Sequence, residues 1–221
     1  MVVLATKLYV EGDARDRALD SLRSLVHDAV EGLDVTVDVG LRHDDFPAVT
    51  IDGDDAEAAR NVLREQWGEI NPMRRDGEVY TGTLEAWDDD AIELDAGERV
   101  PVPADELGLG PGTPSQVRER FGLVQHMPLR FVQGRPTRLA DAERDRLYDW
   151  QRGAGRVNVN SATRSEVRAT VNRAGHAEDI VTVERLGLLE QSIVCAEGTD
   201  PPGLLASIGP YLRSELRCVV P

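Results

Sequence analysis

"LDVTVDVGLRHDDFPAVTID", residues 33–52, decides the fold of the first third of the chain. Apolar and polar residues alternate in "LDVTVDVGL", which is the pattern of a β-strand with one buried face. "FPAVTID" predicts a second strand, and the polar "RHDD" between the two predicts the turn of a hairpin. The stretch therefore predicts an antiparallel pair of strands, and the flanking segments must supply the remaining elements of the domain.

The segments on both sides of this hairpin predict helices. Residues 13–30 place apolar side chains on one helical face, and Asp13 is a candidate N-cap. Residues 53–68 predict a second helix, and residues 2–10 predict a strand. The resulting order, βαββα, is most of a ferredoxin-like sandwich, and it predicts an α+β domain over residues 1–75.

The middle of the chain changes character. From Gly77 onward, short strands are separated by the turn segments "DDD", "AGE" and "ADELGLGPG", which is typical of a small barrel. "GTPSQVRERFG" predicts a short helix with Thr113 as cap, Pro114 in the first turn and Gln116 closing a capping box. We predict a small OB-like β-barrel over residues 76–135.

The last third repeats the element order of the first. Residues 136–155 predict a polar linker with a short helix, and residues 156–221 predict strands and helices in the order βαββαβ. A second ferredoxin-like α+β domain is expected there. Residues 177–196 are open to two interpretations, a hairpin that turns near Gly187 or a helix.

The composition describes an acidic protein. The 221 residues include 40 Asp and Glu against 25 Lys and Arg, for a net charge of -15, and Lys7 is the only lysine. Such a chain is typical of a salt-rich cytosol, where carboxylates hold water and salt screens their mutual repulsion. No apolar run approaches the roughly 20 residues that cross a bilayer, and the first residues lack a signal-peptide pattern. A halophile's cytoplasmic protein without membrane contact is therefore expected.

The charge is unevenly distributed. Residues 112–175 carry 12 arginines and 6 acids, whereas every other part of the chain has a net negative charge. If the acidity is a general adaptation, this basic block is the exception, and such exceptions often mark a binding surface. It predicts an anionic partner.

The helix predicted within "GRVNVNSATRSEVRATVNRAG", residues 155–175, concentrates this charge. Thr163 and Glu166 form a capping-box pattern, and Arg164 and Arg168 are like charges at i and i+4. An anion bound to this helix face would offset the repulsion between the two arginines. The alternative is that the face is solvated and its charge is balanced by acidic residues elsewhere on the surface. We predict a nucleic-acid surface with three aromatic stacking partners. It comprises Arg118, Arg120, Arg130, Arg135, Arg152, Arg156, Arg164, Arg168, Arg173, Tyr80, Trp87 and Phe131.

Other patterns are weaker. Glycines 108, 110 and 112 precede a helix start, where free amides attract anions, but their spacing matches no known phosphate loop. His43, Asp44 and Asp45 offer metal-ligand types that a hairpin turn explains equally well. The two cysteines, Cys195 and Cys218, have no nearby ligand partners, and His126 and His176 have no nucleophile at catalytic spacing. No cofactor, metal or catalytic residue is expected.

Three resemblances bear on function. "GEVYTGTLEAWDDDAIELDAG", residues 77–97, resembles OB-type RNA-binding domains of ribosomal and exosome-associated proteins. "VNVNSATRSEV", residues 157–167, resembles the entry of a helix-hairpin-helix module, but the paired glycines that would hold a phosphate are missing. Residues 157–176 and 184–205 resemble an archaeal family defined as a domain of unknown function, over nearly the whole chain.

Together these observations predict a non-catalytic RNA-binding protein that is associated with translation or transcription. Two alternatives stay open. One is a scaffold in which the basic block docks an acidic protein. The other is an enzyme that holds an anionic small molecule with its arginines and the "GLGPG" loop.

Overall fold

A computed structural model describes residues 1–221 as a mixed α+β protein with three antiparallel sheets. The N-terminal sheet has the strand order β1-β3-β2 and packs against two helices. Its elements are β1 (Val2–Val3), α1 (Gly12–Ala29), β2 (Thr36–Leu41), β3 (Pro47–Asp52) and α2 (Ala56–Trp67). The predicted hairpin is confirmed, because β2 and β3 pair from Thr36↔Asp52 to Leu41↔Pro47.

The first strand is much shorter than residues 2–10. After β1 the backbone leaves the sheet, and the Leu8 N–H donates to the Asp45 carbonyl in the hairpin turn at 2.9 Å. On the other side of β1, the Ile70 N–H donates to the Val3 carbonyl at 2.9 Å, and Leu4 forms a bridge with Glu69. Residues 69–70 thus extend the sheet beyond β1.

The central sheet is a curled half-barrel with the strand order β6-β5-β4-β7-β8. Its two edge strands, β6 and β8, approach each other. Its elements are β4 (Val79–Trp87), β5 (Ala91–Asp95), β6 (Arg99–Pro103), α3 (Pro114–Arg120), β7 (Pro128–Val132), β8 (Arg138–Leu139) and α4 (Asp141–Trp150). The capping box of α3 is present as predicted, with Thr113 and Gln116 bonded reciprocally.

Residues 136–155, where we expected a polar linker with a short helix, contain β8 and the helix α4. Leu147 and Trp150 of α4 are buried in the same cluster as Phe131 of β7. The segment is therefore packed onto the central sheet in the structure, because its apolar residues fall on the inner face of α4.

The C-terminal sheet has the strand order β10-β11-β9-β12. Its elements are β9 (Arg156–Val159), α5 (Arg164–Arg173), β10 (Ile180–Arg185), β11 (Gln191–Cys195), α6 (Pro201–Ile208) and β12 (Leu216–Val219). Residues 177–196 form the hairpin of β10 and β11, with Arg185 opposite Gln191 across the turn. The helical alternative for this segment is thereby excluded.

The three units are interlocked through their cores. Leu188 and Leu189, at the tip of the β10–β11 hairpin, are buried in the N-terminal core, and Val219 of β12 is buried in the central core. The hairpin tip therefore brings residues of all three units close together. No helix is long and apolar enough to cross a membrane.

Candidate nucleic-acid interface

Two of the predicted arginines act inside the fold. The Arg118 side chain is only 5% exposed, pairs with Glu215, and has its guanidinium carbon 3.5 Å from the centroid of the Trp87 ring. Arg120 donates to the carbonyls of Leu109 and Pro111, the former at 3.0 Å. Arg120 is half-buried and stabilises the glycine-containing loop, so both guanidinium groups already donate to groups of the protein.

The three predicted stacking residues also make contacts within the protein. Phe131 is fully buried in the central core. Arg118 covers the face of Trp87, and the Tyr80 hydroxyl donates to Glu78 at 2.8 Å and accepts from the Arg75 N–H at 2.9 Å. The structure does not bring these three rings to the main arginine-rich surface.

Three further arginines are exposed but scattered. Arg152 pairs with Asp149 at 2.8 Å, Arg135 lies in the loop between β7 and β8, and Arg173 ends α5. None of the three lines the main arginine-rich surface.

That surface is a cleft of about 750 Å³ lined by five arginines and three carboxylates, which we call the arginine cleft. The side chains come from β7, α4, the start of β9 and of α5, and the end of β10. The lining residues are Arg130, Ala142, Asp145, Arg146, Asp149, Trp150, Arg156, Arg164, Glu184, Arg185 and Leu186. Of the predicted set, Arg130, Arg156 and Arg164 meet here.

Three of the five arginines are paired with acids. Glu143, whose side chain is 1% exposed, accepts from Arg130 Nε at 2.9 Å and also from Arg146. Arg156 pairs with Glu184 across neighbouring strands. A buried carboxylate shared by two guanidinium groups fixes α4 against β7, so this part of the cleft is rigid in position.

Arg164 and Arg185 form no ion pair. Arg164 Nε donates to the Val183 carbonyl of β10 at 2.6 Å, which holds its guanidinium near Arg185 on the same strand. Burial lowers the pKa of Arg185, and the positive charge of Arg164 lowers it further. Two adjacent positive charges without a carboxylate are a surface suited to an anion.

Two smaller cavities adjoin the cleft at Arg185. One, of about 260 Å³, is lined by Arg164, Arg168 and Arg185 together with Ser21, Leu25, Ser165 and Leu188. The other, of about 130 Å³, is lined by Thr6, Gln66, Trp67, Pro128, Arg185, Leu186 and Gly187. Arg168 therefore lines a cavity that adjoins the arginine cleft, next to Arg164 and Arg185.

The turn that presents Arg185 depends on a buried acid. The N–H groups of Leu186 and Gly187 donate to the Glu190 main-chain carbonyl at 2.9 and 3.1 Å, and a Cβ at Gly187 would clash with Oε2 of the Glu190 side chain. Tyr9 donates its hydroxyl proton to Glu190 Oε1 at 2.7 Å. Burial raises the pKa of Glu190 to about 8, so its carboxyl is protonated at neutral pH.

A charged network lies beside this turn at the junction of the N-terminal and central units. Lys7 Nζ lies 2.7 Å from Asp95 and 3.2 Å from Glu85, and His126 Nδ1 lies 3.2 Å from Glu85 Oε1. Burial alone raises the pKa of Glu85, but hydrogen bonds from His126 and Thr83 and the charges of His126 and Lys7 bring it down to about 2. These contacts hold the two units together.

The weaker sequence patterns have structural explanations. In the turn of the first hairpin, Asp44 pairs with Arg42 at 2.8 Å and Asp45 with Arg15 at 3.3 Å. Gly108, Gly110 and Gly112 all have positive φ, and arginine side chains lie against each of them. Cys195 is buried and Cys218 is half-buried, both as free thiols.

His176, for which the sequence indicated no partner, has two. Its Nδ1 lies 2.6 Å from Asp179 Oδ2, and its Nε2 lies 2.7 Å from Ser207 Oγ on α6. This line of acid, imidazole and hydroxyl has the contact pattern of a serine nucleophile's activating pair. Sequence reasoning missed it because Ser207 is distant in the chain.

Arg146 and Arg185 were also missed. Arg146 alternates with acids in "DAERDRLYD", which is typical of a solvated helix, and Arg185 lies in a segment of net negative charge. Only the position of Arg185 at the end of a strand, before a turn, could have drawn attention to it.

Family models match the chain from end to end. They are the DUF2110 N-terminal domain over residues 1–73, the DUF2110 central domain over residues 74–151 and the DUF2110 C-terminal domain over residues 154–220. The chain therefore belongs to the DUF2110 family. Comparison with curated proteins found no match.

Proposed function

We propose that this member of the DUF2110 family is a non-catalytic RNA-binding protein and that RNA lies in the arginine cleft. The observation that carries the proposal is the pair Arg164 and Arg185, which lie together in the cleft and form no ion pair, although three carboxylates line the same cleft. Repulsion and partial burial make this arrangement unfavourable in the free protein. A phosphate between the two guanidinium groups would remove that cost.

The rest of the cleft offers what a single strand needs. Arg146 and Arg156 both lie over the Trp150 ring, with guanidinium carbons 5.1 and 5.3 Å from its centroid. Their planar groups are thereby held in place, and RNA bases stack on guanidinium planes as they do on aromatic rings. Stacking on these arginines takes the role that the sequence predicted for Tyr80, Trp87 and Phe131.

We interpret the outer units as ferredoxin-like and the central unit as OB-like. The order β10-β11-β9-β12 with both helices in the connections, and its partial copy β1-β3-β2, support the first interpretation. The order β6-β5-β4-β7-β8, with α3 before β7 and the edges approaching, supports the second. The acidic loop 88–90 of the central unit does not line the cleft, so the proposed RNA path avoids it.

The acidic composition supports a halophilic, cytoplasmic setting. The OB-like interpretation of the central unit supports a role in translation or transcription. At molar salt the screening length is about 3 Å, so exposed charges contribute little to binding. Partly buried arginines retain their attraction for phosphate, and hydrogen bonding and stacking supply the remainder. The proposal thus predicts RNA binding that survives high salt.

The first test is binding of single-stranded RNA of about 12 nucleotides by fluorescence anisotropy, from low to molar potassium chloride. Wild type is compared with Arg164→Gln/Arg185→Gln and with Arg213→Gln, an exposed arginine outside the cleft. Loss of binding in the double variant but not in Arg213→Gln supports the proposal. Equal binding by all three proteins contradicts it.

A second test addresses the scaffold alternative. Crosslinking and pull-down from cells at native salt compares wild type with Arg164→Glu/Arg168→Glu, and the recovered RNA is sequenced. RNA enriched by wild type and lost in the variant supports the proposed function. A stable acidic protein partner without RNA would overturn it in favour of protein docking.

One observation favours a second candidate function, hydrolysis with Ser207 as nucleophile. His176 Nε2 is within reach of the Ser207 proton, and Asp179 would orient the imidazole and stabilise its charged form. A fluorophosphonate probe would then label wild type but neither Ser207→Ala nor His176→Ala. Absence of labelling in wild type removes this candidate.

A further inference from the structure

The smallest of the three cavities around Arg185 has walls from all three units. Thr6, Gln66 and Trp67 belong to the N-terminal unit, Pro128 begins β7, and residues 185–187 belong to the hairpin turn. Such a cavity exists only when the units are docked. It is also where the hairpin tip enters the N-terminal core.

The polar lining of this cavity favours an acceptor. The Nε1–H of Trp67 is buried and finds no acceptor in the protein. An unsatisfied buried donor is costly and rare, and Trp67 is a wall of this cavity, so a bound group that supplies an oxygen would relieve that cost. The Arg185 guanidinium, 5.4 Å from the centroid of the same ring, is a second donor, whereas the Thr6 hydroxyl already accepts from the Leu188 N–H at 2.8 Å.

The size of the cavity limits what can enter. Its 130 Å³ correspond to about four water molecules at roughly 30 Å³ each. One phosphate fits this space, but a phosphate with a nucleoside on both sides does not. A strand in the arginine cleft could therefore place only an end in it.

The positive charge of Arg185 and Arg164 favours a terminal phosphate over an internal phosphodiester. Arg185 lines this cavity and shares the neighbouring one with Arg164, and neither has an acidic partner. Burial and then the charge of Arg164 lower the pKa of Arg185, no carboxylate lines either cavity, and the Glu190 carboxyl behind Gly187 is protonated at neutral pH. A terminal phosphate carries nearly two negative charges at neutral pH, whereas an internal phosphodiester carries one.

We propose that the cavity formed by Trp67, Gln66, Arg185 and Gly187 binds the terminal phosphate of an RNA strand whose remaining nucleotides lie in the arginine cleft. This inference rests on the proposed function and makes it specific for a strand end. Arg185 bonds the phosphate from the cleft side, and Trp67 Nε1–H bonds it from the inner side. Arg164 balances the second charge.

Competition binding tests the inference. A labelled single-stranded RNA is displaced from wild type by three unlabelled RNAs of the same sequence, which carry a 5′-phosphate, a 3′-phosphate or only hydroxyl ends. We expect one of the two phosphorylated RNAs to compete about tenfold better than the hydroxyl-ended RNA, which is the effect of one or two charge-assisted hydrogen bonds. The end that is preferred gives the direction of the strand.

Two variants locate the preference. Trp67→Phe keeps an aromatic ring, although a smaller one, and removes the Nε1–H. Arg185→Lys keeps the charge and removes the forked guanidinium, so both variants should reduce the preference for the phosphorylated end. Arg213→Gln should retain it, and thermal unfolding verifies that each variant is folded. Equal competition by all three RNAs overturns this inference but leaves RNA binding intact, whereas no binding of any RNA overturns the proposed function as well.

Discussion

Arginine meets tryptophan at two contrasting places in this molecule. At Arg118, the guanidinium lies 3.5 Å from the Trp87 centroid and pairs with Glu215, which also accepts from the Gln125 N–H at 2.9 Å. At Arg185, the guanidinium lies 5.4 Å from the Trp67 centroid and has no acid. Burial lowers the pKa of both arginines, but Glu215 opposes the effect at Arg118 whereas Arg164 adds to it at Arg185.

The contrast separates a charge that stabilises the fold from a charge that is available for binding. A buried guanidinium with a carboxylate partner has its hydrogen bonds satisfied by the protein. A partly buried guanidinium without one gains most from an anion supplied from outside. The same pair of residue types thus has a structural role in one place and a proposed binding role in the other.

The largest effect is expected at Arg118. Arg118→Gln removes the more buried of the two arginines that pair with Glu215 and uncovers Trp87, while Arg217 Nε remains 2.9 Å from Glu215. Loss of a charge-assisted hydrogen bond, about 1.5–3 kcal/mol, and of a desolvated cation–π contact, about 2 kcal/mol, should together cost about 3–5 kcal/mol. Urea unfolding should show this loss in the free energy of unfolding. Arg173→Gln, at an exposed position, is the control and should change it by less than about 0.5 kcal/mol.

Two buried acids, Glu85 and Glu190, differ in the same way as the two arginines, because only one of them has charged partners. Glu85 has cations beside it, whereas Glu190 has none, and burial raises the pKa of Glu190 from 4.5 to about 8. Because the folded state holds this proton more tightly than the unfolded state, its contribution to stability is complete below about pH 4.5 and is lost as the pH rises through about 8.

Glu190→Gln should abolish this dependence. Between about pH 5 and 8, the free energy of unfolding of wild type should fall relative to the variant by up to about 1.4 kcal/mol per pH unit. Urea unfolding of both proteins across this range measures it. Parallel pH profiles would mean that Glu190 is not held protonated in the fold.

A smaller effect on stability is expected at Arg185. Arg185→Gln removes a cation–π contact of about 0.5–1 kcal/mol but also relieves repulsion from Arg164, so the free energy of unfolding should change by less than about 1 kcal/mol. Thermal and urea unfolding should show nearly wild-type stability together with lost RNA affinity. A destabilisation as large as that of Arg118→Gln would erase the contrast between the two arginines.

The smallest effect is expected at the exposed pair of Arg152 and Asp149. Their side chains are 76% and 68% exposed, so water and salt screen the attraction. Arg152→Gln should change the free energy of unfolding by less than about 0.5 kcal/mol and leave RNA affinity unchanged. A marked loss of affinity would show that the RNA path extends beyond the cleft.

Local signals in the sequence were sufficient for most elements. Alternation over residues 33–52 predicted β2 and β3, and the capping boxes at Thr113 and Thr163 predicted where α3 and α5 begin. The first strand was overestimated because the apolar residues after Leu4 enter the core without forming strand pairs. The hairpin of residues 177–196 could not be separated from a helix, since its turn residues are apolar and are buried by another unit.

By itself, the sequence determined the order of most elements, the acidic composition and the presence of a basic block between residues 112 and 175, because these depend on neighbours along the chain. Tertiary structure decided which arginines are free. Arg118, Arg130 and Arg156 are paired with Glu215, Glu143 and Glu184, and the first and third of these partners lie far along the chain. An ion pair depends on distance in space, so only the folded chain leaves Arg164 and Arg185 together without an acid.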